Sequence, residues 1–371
     1  MPQRRILFLI DSLKAIGGAE QMFIDQANYF SERGIEVYFA TCFPPGITDF
    51  GKNLMSSVHY SSFDFTSVFD LRAHRALAQY ALKHDIPLIY SYLDFSNNVA
   101  RIQKIFHPTA RIVIVEPGDP RRKTWKMRLF DWCTNFFVYK IFAMGNVVRD
   151  NLLAYLAPHR KKIISMRNGV HPMQTESEVR AKLARGKNTP FTIFHVGNMK
   201  TENKGHIGMI RAVGELHRKR TDIPFSFILA GDGFMKEHFE EKAREEGIDA
   251  YTNFVGSVPH EKIKEYYRAA DVFIFNSATE GGAASIMEAT SAALPTITSN
   301  FDSVREVVVD GETGFIVPRD GIAEFADALI RIHDNDALWK NMAESARKLY
   351  ERRFMYDTLA DRFIEEIFED N

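Results

Sequence analysis

The sequence has few cysteines, no long apolar run and almost no net charge, and each shortage excludes a class of protein. Only two of its 371 residues are cysteine, too few for the disulfide framework of a small secreted domain. No stretch approaches the ~18 to 20 apolar residues that a membrane-spanning helix needs. The first apolar run, 6–10, meets Asp11 at once, which favours a buried strand over a signal-peptide core. We therefore expect a reduced, cytoplasmic globular protein.

Two phosphate-binding motifs are also missing. The sequence contains no G-x-x-x-x-G-K-[ST], and no G-x-G-x-x-G follows the first apolar run. Their absence disfavours nucleoside triphosphate hydrolysis and ordinary dehydrogenase chemistry. The net charge of −1 is unevenly spread, since the first 170 residues are basic and the remainder is acidic. This asymmetry fits either chance with an acidic tail or a first half that faces an anionic partner.

Apolar segments that resemble β-strands alternate with helical patterns along the whole chain. Such alternation predicts parallel sheets covered on both faces, and the length predicts two domains. We place an N-terminal domain at 1–170, a C-terminal domain at 171–350, and a last helix at 351–371 that crosses back to the first domain. The expected strands are 5–10, 37–40, 87–92, 111–116, part of 137–145, 191–197, 225–231, 253–257, 271–276, 295–299 and 314–317.

Glycines and lysines follow several of these strands, at the sheet edge where open α/β proteins bind ligands. Gly17 and Gly18 follow the first strand, and Lys200 and Lys204 follow the strand at 191–197. Glycine lets the backbone approach a ligand, helix N-termini attract anions, and ammonium groups neutralise phosphate. Each loop alone also fits a plain turn or a helix cap. Several such loops at one edge favour a ligand crevice.

The segment 280–288, "EGGAASIME", carries the most specific pattern. Small residues at the start of a helix leave its N–H groups open to a diphosphate. Glu288 lies roughly 12 Å along the helix from Glu280. Two carboxylates that flank a phosphate site suit the sugar and ribose hydroxyls of a nucleotide-sugar. The same spacing also fits one capping glutamate and one solvated glutamate.

These segments resemble family 4 of the GT-B glycosyltransferases (glycosyl transferases group 1). The matching motifs follow the family's order over about 190–318, and "GGAEQ" is similar to its first glycine loop. The resemblance implies an α/β GT-B fold, with two doubly wound Rossmann-like domains facing across a cleft. It also implies a retaining, metal-independent hexosyltransferase without a cofactor, whose substrate is a nucleotide-sugar, expected to be UDP-linked. The motifs are "HVGNMKTENKG", "FILAGDGFMKEHFEEKA", "NFVGSVPHEKIKEYYRAADVFIFNSATEGGAASIMEATSAALPTITS" and "VREVVVDGETGFIVP".

The resemblance further implies roles for the matched positions. Glu280 would contact the donor sugar, Glu288 would hold the ribose, and Lys204 would bind the diphosphate. Glu280 and Lys204 are the implied catalytic residues, and no metal ligand is implied. Backbone at Val255 and Gly256 would read the base. The remaining implied donor-binding positions are Gly17, Gly18, Asn198, Lys200, Gly231, Gly281, Gly282, Ala283, Ala284 and Ser285.

Three positions depart from the family pattern. Asn198 stands where members usually carry an arginine of the diphosphate clamp, and Gly282 stands where phenylalanine is usual. Glu116 occupies the region of a histidine that many members carry. A non-catalytic GT-B binding or partner subunit is therefore the alternative function. A sugar-nucleotide epimerase is disfavoured by the spacing of Glu280 and Glu288.

The acceptor side is expected in the first half. The segments 91–102 and 114–120 are similar to members that build glycans on lipid carriers, which predicts a glycan or lipid-linked acceptor. The segment 117–137 mixes cations with aromatic residues, as a surface helix with a buried apolar face or an interfacial membrane patch would. We expect contact with an anionic membrane at its cytoplasmic face and no nucleic-acid partner. The expected acceptor-side residues are Asp94, Glu116, Arg121 and Arg122.

Overall fold

The computed structural model describes residues 4–14, 18–44, 53–278 and 283–369, and these fold into two compact units. The first unit is Met1–Asn168 together with Asp357–Asn371, and the second is Gly169–Tyr356. Each unit contains one parallel sheet with helices on both faces. The predicted fold of two doubly wound Rossmann-like domains is confirmed.

The first sheet has seven parallel strands in the order β3-β2-β1-β4-β5-β6-β7. The five strands predicted for this half are present, and β3 and β7 are added at the two edges. The strands are β1 Arg5–Ile10, β2 Glu36–Thr41, β3 His59–Ser62, β4 Leu88–Tyr92, β5 Arg111–Glu116, β6 Lys140–Met144 and β7 Ile163–Met166. The helices of the first unit are α1 Gly18–Glu32, α2 Leu71–Lys83, α3 Asp94–Phe106, α4 Trp125–Thr134, α5 Asn146–Leu153 and α13 Tyr356–Phe368.

Side chains of β1 alternate between two apolar layers, as the pleat of a strand requires. Leu7 and Leu9 enter an aliphatic core, whereas Phe8 faces a cluster of aromatic rings. Phe363 of α13 closes that cluster, because its ring centroid lies 5.3 Å from that of Phe142. The last helix therefore completes the core of the first unit.

The second sheet has six parallel strands in the order β10-β9-β8-β11-β12-β13. All six strands that the sequence predicts for this half are present. The strands are β8 Phe191–Val196, β9 Phe225–Ala230, β10 Thr252–Gly256, β11 Val272–Phe275, β12 Thr296–Ser299 and β13 Gly314–Val317. The helices are α6 Glu176–Arg185, α7 His206–Lys219, α8 Lys236–Glu245, α9 His260–Ala269, α10 Ala284–Ser291, α11 Ile322–Asp334 and α12 Asp336–Arg353.

In both sheets the strand order reverses beside the first strand of the unit. The reversal lies between β1 and β4 in the first sheet, and between β8 and β11 in the second. Ligands of open α/β sheets bind at the carboxyl ends of the strands at such a reversal. Each unit therefore has one favoured edge for a site. Among the described residues, no helix is long and apolar enough to cross a membrane.

Candidate functional site

The loops that follow β8 and β11 are bonded to each other at the strand reversal of the second unit. The backbone N–H of Ala278 donates to the carbonyl of Asn203 at 2.9 Å, and the Ser277 hydroxyl donates to the same oxygen at 3.2 Å. Two loops that are far apart in sequence therefore form one fixed edge. Residues of both loops belong to the predicted donor site.

Gly205 allows these loops to meet. Its φ of +69° lies in the left-handed region, and a Cβ there would come within 2.1 Å of the Asn276 carbonyl oxygen. Both the conformation and the close approach require glycine. The preceding Lys204 is thereby held beside the end of β11, with its Nζ 5.7 Å from the ring centroid of Phe275. The backbone of the two loops thus positions Lys204, the cation that is predicted to bind the diphosphate.

Helix α10 begins at this edge after an unusual residue. Ala283 has φ +47° and ψ +46°, a left-handed conformation that costs an alanine roughly 1–2 kcal/mol. The turn starts the helix abruptly, and Ala283 has no side-chain oxygen to bond the first N–H groups. Ala284 is exposed, while Ser285 and Glu288 are half-buried. A helix start of this kind attracts anions through its N–H groups and its dipole.

Glu288 is positioned by a tyrosine that the sequence analysis did not single out. The hydroxyl of Tyr267, on α9, donates to Oε2 of Glu288 at 2.7 Å and lies 3.2 Å from the Ser285 carbonyl oxygen. Tyr267 is fully buried, and burial followed by the Glu288 charge raises its pKa well above the usual range. The carboxylate is therefore held in one orientation. The sequence does contain a signal for the burial of Tyr267. This tyrosine lies four residues after Ile263, so both side chains fall on the same, buried face of α9.

The loops after β9 and β10 complete the same edge. The Gly231 N–H donates to the Gly256 carbonyl at 2.8 Å, and a Cβ at Gly231 would lie 1.9 Å from the Gly197 carbonyl oxygen. Gly231 is thus required by the packing of two loops. Gly256 has φ +72°, and Val255 before it is half-buried. The backbone at 255–256 stays a predicted base-binding segment.

Asn198 and Lys200 are both exposed at the end of β8. Between them Met199 is buried and anchored, since its N–H donates to the Asp232 carbonyl at 2.9 Å. The Lys200 N–H donates to the side-chain oxygen of Asn198 at 3.4 Å. This loop therefore presents an amide where the resembling family presents a guanidinium. Four predicted donor-site residues, Gly17, Glu280, Gly281 and Gly282, lie outside the described residues, while Gly18 begins α1.

Glu116, expected on the acceptor side, lies in a buried network of four charges in the first unit. Its carboxylate contacts Arg101 at 3.2 Å and Lys123 at 2.7 Å. Asp131 contacts the same two cations at 3.2 Å and 2.9 Å. The network is neutral overall, as a buried cluster must nearly be. Glu116 therefore anchors α4 in this structure, and the sequence analysis did not anticipate its partners Arg101 and Asp131.

The other acceptor-side residues surround α4. Asp94 is the first residue of α3, and its exposed carboxylate lies 3.8 Å from Lys123 Nζ. Arg121 is paired with Asp119 at 2.7 Å, and Arg122 is exposed. A cavity of about 220 Å³ opens beside them. It is lined by Phe69, Asp94, Asn98, Lys126, Met127 and Phe130, among others.

Two doubly wound parallel domains of this kind define the GT-B fold class, and comparison with known structures agrees. HepE from Anabaena, solved in complex with UDP, is 19% identical over 98% of this chain and 99% of that chain, with a TM-score of 0.82. Residues 176–349, just under half of the chain, match the model of the glycosyl transferases group 1 family. The predicted recognition is confirmed at the level of group 1.

Curated relatives match over part of their length. Glycogen synthase from Mycobacterium tuberculosis is 28% identical over 214 residues, which cover 57% of this chain and 50% of that protein. The amylovoran biosynthesis glycosyltransferase AmsK from Erwinia amylovora is 26% identical over 235 residues, covering 62% of this chain and 56% of that protein. The chain thus spans about half the length of these relatives.

Proposed function

We propose that this protein is a retaining glycosyltransferase that moves a sugar from a UDP-linked donor to a glycan or lipid-linked acceptor. One observation carries the proposal: the loop that contains Lys204 is hydrogen-bonded to the end of β11, the strand that precedes α10 and its oriented carboxylate, Glu288. A cation and a helix N-terminus suit a diphosphate, and a carboxylate suits the vicinal hydroxyls of a ribose. HepE, which shares the fold, was solved with UDP.

In the proposed reaction the bond between the anomeric carbon and the diphosphate oxygen breaks as the acceptor oxygen bonds to that carbon. Negative charge grows on the leaving diphosphate. Lys204 and the first N–H groups of α10 would stabilise this charge more strongly in the transition state than in the ground state. The acceptor's proton passes to a leaving phosphate oxygen, so no strong base on the protein is required. The proposed reaction uses neither a metal ion nor a cofactor.

Glu280 provides the test of catalysis. The wild-type protein should consume one sugar from a panel of UDP-, GDP- and ADP-linked sugars when supplied with a bacterial lipid extract, as mass spectrometry would detect. Glu280→Ala should bind UDP with unchanged affinity and stop turnover, because its carboxylate is expected to contact the sugar alone. Glu312→Ala, at an exposed glutamate, is the matched control and should retain turnover.

Two results would contradict the proposal. Near-normal turnover by Glu280→Ala would remove the assignment of this residue. A wild-type protein that binds UDP but consumes none of the sugars would favour the alternative, a non-catalytic GT-B binding subunit. The exposed amide of Asn198, at a position where the resembling family carries an arginine, is the observation that supports this alternative.

A further inference from the structure

Helix α4 is amphipathic in the opposite sense to an ordinary surface helix. Its buried residue is a carboxylate, Asp131, with 3% of its surface exposed. A surface helix of a globular protein normally buries an apolar stripe and exposes its charges. The sequence alternative of a helix with a buried apolar face is therefore wrong.

The apolar side chains of α4 and of the turn after it form one exposed stripe. Trp125 is 70% exposed, Leu129 52%, Trp132 42% and Phe136 62%. Their spacing of four, three and four residues places them along one side of a helix. We call these four residues the α4 stripe. Contiguous exposed apolar surface of this kind marks an interaction site in a folded protein.

The buried charge network explains why the stripe faces outward. Asp131 contacts Arg101 and Lys123, and it accepts a hydrogen bond from the Tyr155 hydroxyl at 3.2 Å. Rotating α4 to bury the stripe would remove Asp131 from these partners and leave two buried cations, Arg101 and Lys123, with the single carboxylate of Glu116. Breaking a buried ion pair is strongly destabilising, because the remaining buried charge is left uncompensated. The outward orientation is thus built into the fold.

Cations surround the stripe. Lys126 is exposed, and its Nζ lies 5.8 Å from the ring centroid of Trp125. Arg122 is exposed on the turn before α4. Residues 157–162 form a short helical turn that packs on the other end of the stripe, since the rings of His159 and Phe136 lie 4.6 Å apart. The two residues of that turn that follow His159, Arg160 and Lys161, are exposed.

Two cations of this region do not contribute to this surface. Lys123 is only 10% exposed and is bound within the charge network. Arg128 is half-buried, and its guanidinium donates to the Arg121 carbonyl at 2.7 Å. Both belong to the segment 117–137, whose cations the sequence analysis considered together. The basic turn at 157–162, which replaces them, was not part of that grouping.

We infer that the α4 stripe docks this protein onto an anionic lipid bilayer. Tryptophan and phenylalanine enter the boundary between headgroups and acyl chains, while flanking lysines and arginines meet lipid phosphates. Four exposed cations flank the stripe, Arg122, Lys126, Arg160 and Lys161, whereas the only carboxylate of α4, Asp131, is buried. This excess complements an anionic surface better than the mixed charges at the rim of a protein interface. A protein partner is the competing occupant.

Docking through α4 has a consequence for the acceptor, which rests on the proposed function. Lys126, Met127 and Phe130 of the same helix line the cavity that contains Asp94. A helix whose stripe lies in the headgroup layer holds this cavity within reach of that layer. The acceptor is then a molecule anchored in the membrane, with its glycan or phosphate head in the cavity.

The first experiment measures binding to vesicles without any nucleotide-sugar. The wild type should co-sediment with phosphatidylcholine vesicles that contain phosphatidylglycerol, and much less with pure phosphatidylcholine. Arg122→Ser with Lys126→Ser should weaken binding by about fivefold per cation, which corresponds to ~1 kcal/mol each. Added salt should reduce wild-type binding as well. Arg352→Ser with Arg353→Ser, at exposed cations of the second unit, should have no effect.

The aromatic component is tested by Trp125→Ser with Trp132→Ser. This variant should lose most vesicle binding, whereas Phe234→Ser, at a residue that is 82% exposed in the second unit, should bind as the wild type does. Tryptophan fluorescence gives a second readout, because the only other tryptophan, Trp339, is buried. The emission should shift to shorter wavelength on anionic vesicles. Trp125→Phe with Trp132→Phe should abolish that shift.

The outcomes separate this inference from the proposed function. No binding of the wild type to anionic vesicles, or equal binding by the Trp125 and Trp132 variant, would overturn membrane docking and favour a protein partner. Equal binding to neutral and anionic vesicles would overturn the role of the cations. Either result leaves UDP binding and sugar turnover untouched. A protein that docks on vesicles but binds no UDP would instead contradict the proposed function.

Discussion

The strand reversals of the two sheets share a backbone design and differ in charge. In each unit the helix at the reversal starts after a non-glycine residue with positive φ, Leu93 at +85° before α3 and Ala283 at +47° before α10. In the first unit, however, Asp11 at the end of β1 fills the helix start, accepting a hydrogen bond from the Ser96 N–H at 2.7 Å. In the second unit, Lys204 approaches the same sheet edge.

This difference shows what topology determines and what it leaves to individual residues. The reversal of strand order determines where a site can form in both units. A carboxylate that bonds the first N–H groups removes the donors an anion would need, whereas a lysine and a bare helix start provide them. This difference supports the proposal that the second unit is the one that binds an anion. Burial raises the pKa of Asp11, while its bonds to the N–H groups of Ser96 and Phe95 oppose that rise.

A carboxylate at the start of α10, like the one that Asp11 supplies at α3, should remove the difference in anion binding between the two units. Ser285→Asp would place a negative charge at the start of α10, where it would repel a diphosphate and compete with it for the N–H groups of the helix start. We expect UDP binding to weaken by at least about a hundredfold, the equivalent of one or two lost charge-assisted hydrogen bonds. Calorimetry would measure the loss. Ser285→Asn, of similar size and neutral, should change binding far less; an equal loss would point to shape and not charge.

A smaller loss of UDP affinity is expected when the hydrogen bond that orients Glu288 on α10 is removed. Tyr267 orients Glu288 on α10, so Tyr267→Phe should leave the carboxylate free to rotate and weaken UDP by about tenfold. If Glu288 holds the ribose, the wild type should prefer UDP to 2′-deoxy-UDP, and this preference should shrink in the variant. Tyr266→Phe, at the half-buried neighbour, is the control. A Tyr267→Phe protein with unchanged preference would make the tyrosine a packing residue only.

The sequence predicted most of the fold because the central strands are continuous apolar runs. Its two omissions, β3 and β7, are four-residue strands at the sheet edges. β3, with the sequence "HYSS", has no buried residue, so it gives no periodic apolar signal. β7, "IISM", lies at the opposite edge of the sheet and has only two buried residues, so its apolar signal is weak as well. Edge strands are recognised by what they pair with, which a single sequence does not show.

The candidate site was predictable where a local motif carries it and unpredictable where distant residues meet. The segments around Lys204 and Glu288 follow strands directly, so the sequence located them. The hydrogen bond between Ala278 and Asn203 joins residues from different loops, and no local pattern announces it. For Glu116, the sequence predicted a carboxylate at the end of a strand. Its buried partners Arg101 and Asp131 come from two other helices.

If the second unit binds the diphosphate of a nucleotide, Lys204 should contribute to that binding, and calorimetry with the Lys204→Ala variant measures its contribution. If Lys204 contacts the diphosphate, the variant should bind UDP more weakly by about tenfold to a hundredfold, since a hydrogen bond to a charged group contributes ~1.5–3 kcal/mol. Its affinity for uridine should equal that of the wild type. Lys262→Ala, at an exposed lysine of α9, should bind both ligands normally. Equal losses of UDP and uridine binding in Lys204→Ala, or no loss of either, would contradict the account.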